Sequence, residues 1–369
     1  MAKYEDVGNW LRKKITDGTF AVNEKIPSEN ELAAQFGYSR QTIRQAIRSL
    51  ATEGILTRAQ GSGTYVSRRA AKIQQSATMR IGVITTYLDD YIFPGILHGI
   101  EDVLSERHYT MTLGITHNRQ TDEENALRQM VENGVDGLIV ETTKSTLPNA
   151  NELLYEEITD RGIPIVFLNG YYQNFSESYV IMDDVRAGEI SAKALTDKGH
   201  KKIGGIFKSD DIQGLKRYEG MQNHMRQEHL IPADSSILWY TTEDIPYLFS
   251  GTFDSMILSR FSGITGLVCY NDQIAAALIK RFSCHGICVP GDISIVSFDN
   301  SPLAGAMSCN LTSVIYPSLE VGRCAAELIL KKLCDPPCKD CVVLQPELKE
   351  RSSIRDLGNT DSAENGISH

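Results

Sequence analysis

Apolar residues recur at Ile43, Ala46, Ile47 and Leu50, an i, i+3, i+4, i+7 spacing that predicts a helix packed on one face. The opposite face of that helix carries Arg40, Gln41, Thr42, Arg44 and Arg48. A shorter apolar set, Leu32, Ala33 and Phe36, predicts a helix just before it. Ser28 followed three residues later by Glu31 is a capping box that starts this first helix, and Gly37 can end it by taking a positive φ. Ser39 offers the N-cap of the second. Two helices about a tight turn, the second polar at its N-terminal end, describe a helix-turn-helix whose second helix suits the DNA major groove. "GILTRAQGSGTYVSRR" then predicts a strand over 56–58, a turn over 60–63 and a return strand over 64–66, a wing behind the recognition helix. Gly61 and Gly63 let its backbone come close to a phosphate, and Arg58, Arg68 and Arg69 flank it.

From Arg80 onward the pattern changes to alternating strands and helices. "MRIGVITTYL" reads as a buried strand, and Phe93, Ile96, Leu97, Ile100 and Val103 form a helical stripe. "YTMTLGIT", "VDGLIVE", "IPIVFLN" and "SYVIMD" predict further strands, with a helix at "DEENALRQMVENG". The pattern resumes with helices at "DVRAGEISAKALTDKG" and "IQGLKRYEGMQNHMRQEH" around a strand at "KKIGGIFKS". "SSILWYTTE", "ITGLVCY" and "DISIVSFD" follow as strands with helices between them. Repeated βα units imply parallel sheets covered on both faces. So many strands suit two doubly wound lobes better than one very wide sheet. Loops at the carboxyl ends of such strands form the ligand crevice, so two facing lobes share one cleft.

Charge divides along the same boundary. Residues 1–70 hold 11 lysines and arginines against 7 acids, a net +4, which leaves −14 on the remainder of a chain of formal charge −10. A basic head on an acidic body engages DNA through the head alone. No run of about 18 apolar residues appears, which excludes a membrane span, and "MAKYEDV" lacks a basic-then-apolar signal, so a cytoplasmic protein is expected. The eight scattered cysteines of such a chain are expected to be reduced. Cys334, Cys338 and Cys341 have the C-x3-C-x2-C spacing of some iron–sulfur enzymes. Only 28 residues follow Cys341, with no barrel behind the motif, so the spacing reads as coincidence and no metal is expected.

Over roughly its first 70 residues the chain resembles the GntR-type winged helix, because "IPSENELAAQFGYSRQTIRQAIRSLATEGILTRAQGSGTYV" fills nearly every position of that pattern. The resemblance implies contacts to bases or nearby phosphates from Ser39, Arg40, Gln41, Thr42 and Arg44, with Arg48 on the same face. It puts Gln60, Gly61 and Gly63 at the wing and Tyr4 at an N-terminal phosphate contact. Asn30 stands where many relatives have a basic residue.

The remainder resembles the LacI/GalR-type effector domain, itself similar to periplasmic sugar-binding proteins, through "FPGILHGIE", "DVRAG", "KGHKKIGGI", "YNDQIA", "GICVPGDISIVSFDNS" and "LTSVIYPSLEVG". The fold class expected is therefore α/β, an N-terminal winged helix-turn-helix plus a two-lobed, doubly wound parallel-sheet domain like the periplasmic binding proteins. Its divisions are residues 1–68 for the DNA-binding head, 69–79 for a linker, 80–355 for effector binding and dimerisation, and 356–369 for a disordered tail. The resemblance implies three crossings between lobes, one lobe being about 80–182 plus 302–335 and the other about 183–300 plus 338–355.

A sugar needs fixed carboxylates, amides and a guanidinium for its hydroxyls and an aromatic ring for its apolar face. Strand-end loops supply these types in Tyr87, Asp89, Asp90, Phe93, Glu141, Lys144, Asn169, Tyr171 and Asp183. Later loops add Asp210, Asp211, Gln213, Arg217, Asn271, Asp272, Asp299 and Tyr316. Arg217, Asp299, Asp90, Phe93 and Lys144 fall on ligand positions of the resembled family, whereas Asp184 and Asp272 also read as first-turn helix residues. Tyr316 stands where several sugar-binding relatives have glutamine, and His200 reads as structural. A GntR-type head on this body is the arrangement of the arabinose repressors, and "ETTKS", "NGYY" and "KSDDIQGLKR" resemble their loops. The resemblance implies L-arabinose as effector, no cofactor, and a homodimer on a palindromic DNA operator. Two other functions compete: a sugar-modifying enzyme and a DNA-binding protein indifferent to small molecules. The adjacent pairs Asp89/Asp90, Asp183/Asp184 and Asp210/Asp211 make poor acid–base partners, since strand neighbours point to opposite faces. No G-x-S-x-G, H-E-x-x-H or P-loop occurs.

Overall fold

In the computed structural model, residues 3–16, 19–59, 63–67, 78–88, 92–175, 177–230, 234–306, 309–336 and 338–358 are described. The linker expectation (69–79) falls almost wholly outside them, as do Gln60, Gly61, Asp89, Asp90 and residues 359–369 of the expected tail.

The head comprises α1 (Lys3–Thr16), α2 (Glu29–Phe36), α3 (Arg40–Thr52) and the hairpin of β1 (Leu56–Ala59) and β2 (Gly63–Val66). Both predicted caps form. Ser28 N donates to Glu31 Oε2 at 2.7 Å while Ser28 Oγ accepts from Glu31 N at 3.3 Å. Gly37 ends α2 at φ 67°, and Ser39 Oγ accepts from Thr42 N at 3.2 Å to start α3. The α3 stripe of Ile43, Ala46, Ile47 and Leu50 is buried against Val7, Leu11 and Ile15 of α1, Leu32 of α2, and Leu56 and Val66 of the wing. Helix α1, which the pattern reading left unassigned, is thus a third wall of the head's core.

The body contains two six-stranded sheets. The first runs β13-β7-β6-β5-β3-β4, with β3 (Arg80–Thr85), β4 (Thr110–Ile115), β5 (Gly137–Glu141), β6 (Ile165–Leu168), β7 (Ser178–Met182) and β13 (Cys341–Leu344), all parallel. The second runs β14-β12-β11-β10-β8-β9, with β8 (Ile203–Lys208), β9 (Ile237–Tyr240), β10 (Gly266–Cys269), β11 (Ser294–Asp299), β12 (Thr312–Ile315) and β14 (Glu347–Lys349). Only its edge strand β14 is antiparallel. The chain crosses between sheets after β7, after β12 and after β13.

Two segments lie in the opposite lobe from the one expected. Residues 302–306 and 309–315 belong to the second lobe, because β12 pairs with β11 in the register Val296↔Thr312. Residues 341–344 belong to the first, because β13 completes the open edge of β7 in the register Cys341↔Tyr179. Between them α13 (Ser318–Cys334) lies along α4 (Phe93–Glu106) of the first lobe, where Gly99 and Gly322 let the two backbones touch. The helices α7 (Asp184–Thr196) and α8 (Ile212–Gln227) meet as closely in the second lobe. A Cβ on Gly188 would stand 2.1 Å from the Arg217 carbonyl oxygen, and one on Gly220 would stand 1.9 Å from that of Val185. This contact brings Arg217 beside Asp184.

Candidate DNA interface and effector cleft

On the head, Arg40, Gln41, Arg44 and Arg48 are exposed along α3, Asn30 is exposed on α2, and Thr42 is half-buried. Ser39 is engaged as the N-cap, with its hydroxyl 2.9 Å from Thr42 Oγ1. Tyr4 packs partly against the core of the head, and Gly63 opens the return strand at φ 133°. Glu29 organises the cations around it. Arg44 Nη2 donates to Glu29 Oε2 at 2.9 Å and its Nε reaches both oxygens at 3.1 and 3.3 Å. Arg58 of the wing approaches Glu29 to 3.9 Å, and the Arg44 hydrogen bond holds the Glu29 carboxyl below its usual range. One carboxylate thereby aligns a recognition-helix arginine with a wing arginine.

In the body, the carboxyl ends of both sheets enclose a cleft cavity of about 350 Å³. Of the residues expected from the sequence, Tyr87, Phe93, Glu141, Asp211, Gln213, Arg217, Asn271, Asp299 and Tyr316 line it. Arg217 is its electrostatic centre and is only 2% exposed. Nε donates to Asp184 Oδ1 at 2.8 Å, Nη1 donates to the Tyr270 carbonyl at 2.7 Å, and Nη2 lies 3.8 Å from Asp299 Oδ1. The guanidinium carbon sits 4.6 Å from the Phe298 ring centre and 5.0 Å from that of Tyr270. Burial opposes its charge, but Asp184, Asp299 and Tyr270 more than offset this and raise its pKa. Burial likewise pushes the Asp184 carboxyl up to about 6 against the pull of Arg217.

Glu141 faces the cleft from the first lobe. It accepts from Thr86 N at 2.7 Å, Thr86 Oγ1 at 2.6 Å and Asn169 Nδ2 at 2.8 Å, and burial pushes its pKa up to about 7. Tyr316 donates to Asn169 Oδ1, which extends the chain of bonds from one lobe to the crossing segment after β12. Asn271 caps α11 (Asp272–Cys284) through Ile274 N at 3.0 Å. Lys144, Asn169 and Asp299 all take positive φ, with Asp299 at 96°, a backbone state rare outside glycine that is concentrated at functional loops.

Several expected residues lie elsewhere. Lys144 does not line the cavity: its ammonium bridges the lobes, 3.0 Å from Asp210 Oδ2 and 2.7 Å from Glu243 Oε1. Thr146 Oγ1 donates to the Ser209 carbonyl at 2.8 Å and Asn118 Nδ2 to Thr242 Oγ1 at 2.6 Å, so the two sets of loops touch across the mouth. Asp272 is fully buried away from the cavity and accepts from Ser301 N at 2.7 Å, Ser301 Oγ at 2.8 Å, Ser313 Oγ at 2.9 Å and Ser297 Oγ. It ties the ends of β11 and β12 to α11. Asn169, Tyr171 and Asp183 line a smaller cavity of about 220 Å³ at the lobe crossing, with Met182, Val185 and Ile212. Lys208, Tyr240, Tyr270, Thr242 and Gln273 line the main cavity without having been singled out. Lys208 ends a strand already assigned and opens the motif "KSDDIQGLKR", the sequence feature from which it is legible.

His200 bridges Thr265 Oγ1 and the Arg355 carbonyl, each at 3.0 Å, in a structural role. All eight cysteines are free thiols, and among the described residues no cluster of His, Cys, Asp or Glu could hold a metal ion. Among those residues no helix is long and apolar enough to cross a membrane.

A winged helix-turn-helix carried on a two-lobed cleft of this chemistry defines a ligand-responsive DNA-binding regulator. The description "Bacterial regulatory proteins, gntR family" matches residues 3–66, and "Periplasmic binding protein-like domain" matches residues 192–354. The chain is 37% identical to the arabinose metabolism transcriptional repressor of Halalkalibacterium halodurans, over 95% of its own length and 96% of the relative's. It is 36% identical to the repressor of the same name from Geobacillus stearothermophilus, over 97% and 99% of the two chains. Among solved structures, the transcription regulator CcpA of Lactococcus lactis superposes with a TM-score of 0.67 at 25% identity, over 76% of this chain and 100% of that one. The regulator CelR in complex with cellobiose shares the fold, with a TM-score of 0.66 at 18% identity over 89% and 100%. The chain belongs to the family of the arabinose metabolism transcriptional repressors.

Proposed function

We propose that the protein represses transcription by binding a palindromic operator as a cytoplasmic homodimer and is released when L-arabinose fills the cleft. The observation that carries this reading is the cavity between the lobes. Buried Arg217, Asp299 and Glu141, with Asn271 and Gln213, offer hydroxyl partners, and Phe93 and Tyr87 offer apolar faces, in a chain headed by a winged helix. Five polar groups fixed by the fold suit an uncharged polyol better than an apolar ligand. The effector acts as binding energy and not as substrate, since the adjacent pairs Asp183/Asp184 and Asp210/Asp211 are engaged in caps, hydrogen bonds and ion pairs.

Two heads on half-sites about one helical turn, roughly 34 Å, apart are required for operator affinity. Sugar that favours one lobe arrangement changes the separation of the heads and weakens the complex by about 1–3 kcal/mol. Fluorescence anisotropy on a labelled palindromic operator, titrated with L-arabinose, ribose, xylose and galactose, tests the reading. Release by L-arabinose at the lowest concentration is expected. DNA binding that no sugar alters, with no heat of sugar binding by calorimetry, would favour a ligand-independent DNA-binding protein instead.

A further inference from the structure

Lys208 is the last residue of β8, a strand buried along its whole length, and the residue is 9% exposed in the cavity wall. Its ammonium carries three donors. Among the described residues none accepts from it at hydrogen-bond distance. The nearest acceptors are Asp211 Oδ2 at 3.7 Å and Asp210 Oδ1 at 3.9 Å, close enough to balance the charge and too far to take the hydrogens. Asp210 Oδ1 is itself buried without a hydrogen-bond partner, while Asp210 Oδ2 is committed to Lys144 at 3.0 Å and to Thr242 N at 3.1 Å. Neighbouring groups of the wall are satisfied within the protein: Asp211 accepts from Tyr270 Oη at 2.7 Å and from Gln213 N at 3.0 Å. A buried ammonium with its donors unused is unfavourable, and the space it faces is the one a ligand occupies.

Resting on the reading of the cleft as a monosaccharide site, we propose that Lys208 is an effector contact and specificity-determining residue that donates to one hydroxyl oxygen of the bound sugar. The two aspartates behind it fix its charge in place, so the discrimination is for a hydroxyl at one ring position. A sugar lacking that oxygen leaves the ammonium buried and unpaired and is rejected.

The test uses the full-length protein, Lys208→Met, and calorimetric titration with L-arabinose and its 2-, 3- and 4-deoxy analogues. Lys208→Met is expected to weaken L-arabinose by roughly 10- to 100-fold, the range of a hydrogen bond to a charged group. Operator affinity without sugar is expected to stay at the wild-type value. One analogue is expected to bind wild type and variant equally, because the lost oxygen and the lost ammonium are the same interaction. Should Lys208→Met not fold, Lys208→Arg carries the test: it keeps the charge and moves the donor, and discrimination must fall at that same ring position. Unchanged L-arabinose affinity in the variant, or equal further losses for all three analogues, overturns the proposal and leaves the cleft reading standing. A wild type that binds none of the four sugars overturns both.

Discussion

Replacing Arg217 by Met removes a cation around which the second lobe is built. The side chain is 2% exposed, and its loss takes away the 2.8 Å bond to Asp184 and the 2.7 Å bond to the Tyr270 carbonyl. It leaves Asp184 buried without its counter-charge and removes the cation 3.8 Å from Asp299, while the thioether still fills the space between Phe298 and Tyr270. Breaking one partner of a buried pair costs about 3–5 kcal/mol. At roughly 2–4 °C per kcal/mol for a unit of this size, the melting temperature falls by about 6–20 °C. The loss depends on pH with a definite sign. Asp184 has a folded-state pKa raised to about 6 even with Arg217 present, so its protonated form favours the folded state. That contribution is complete below the unfolded carboxyl range and is lost as pH rises through the folded value. In Arg217→Met the value rises further, and the variant is expected to regain stability as pH is lowered from 7.5 to 5.5. Adding Asp184→Asn to Arg217→Met should recover part of the loss, so the two changes together cost less than their sum. Thermal melts of the four proteins at pH 7.5 provide the check. Additive losses, or a single-variant loss below about 1 kcal/mol, would refute the view of Arg217 as the counter-charge on which the lobe depends.

Further outcomes concern the head and the cleft. Arg44→Ala is expected to lower operator affinity by about 1–3 kcal/mol and to relax preference at one base pair, measured by anisotropy against a set of single-base operator variants. A uniform loss across that set would make Arg44 a phosphate contact. For Glu141, whose pKa lies near 7, a sugar hydroxyl donates to the ionised form, so L-arabinose affinity should rise from pH 6 to pH 8 and become flat in Glu141→Gln. The same raised pKa makes Glu141 stabilising when protonated, an effect lost as pH rises through about 7, and melts of sugar-free protein should show that slope only in the wild type.

The amino-acid sequence by itself determined what depends on contacts within a few residues. The Ser28–Glu31 box, the Ser39 cap and the Ile43–Leu50 stripe each involve partners at most seven positions apart, and the βα alternation pointed to largely parallel sheets in two lobes. Residue chemistry at strand ends was legible too, because every strand of a parallel sheet delivers its final residues to the same edge. Tertiary structure alone decided which neighbours those residues meet. Lys144 reads as a ligand group until Asp210, 66 positions away, and Glu243, 99 away, take its ammonium. Asp272 reads as a cleft residue until serines 25 to 41 positions away surround it. The lobe membership of β12 and β13 likewise depends on which sheet edge is open, a property of the assembled sheets and not of either segment. Tyr316 and Asn169 are 147 positions apart and share one hydrogen bond. Periodicity encodes the local geometry of a backbone; the partner of a side chain at a lobe boundary is set by how the two sheets come together.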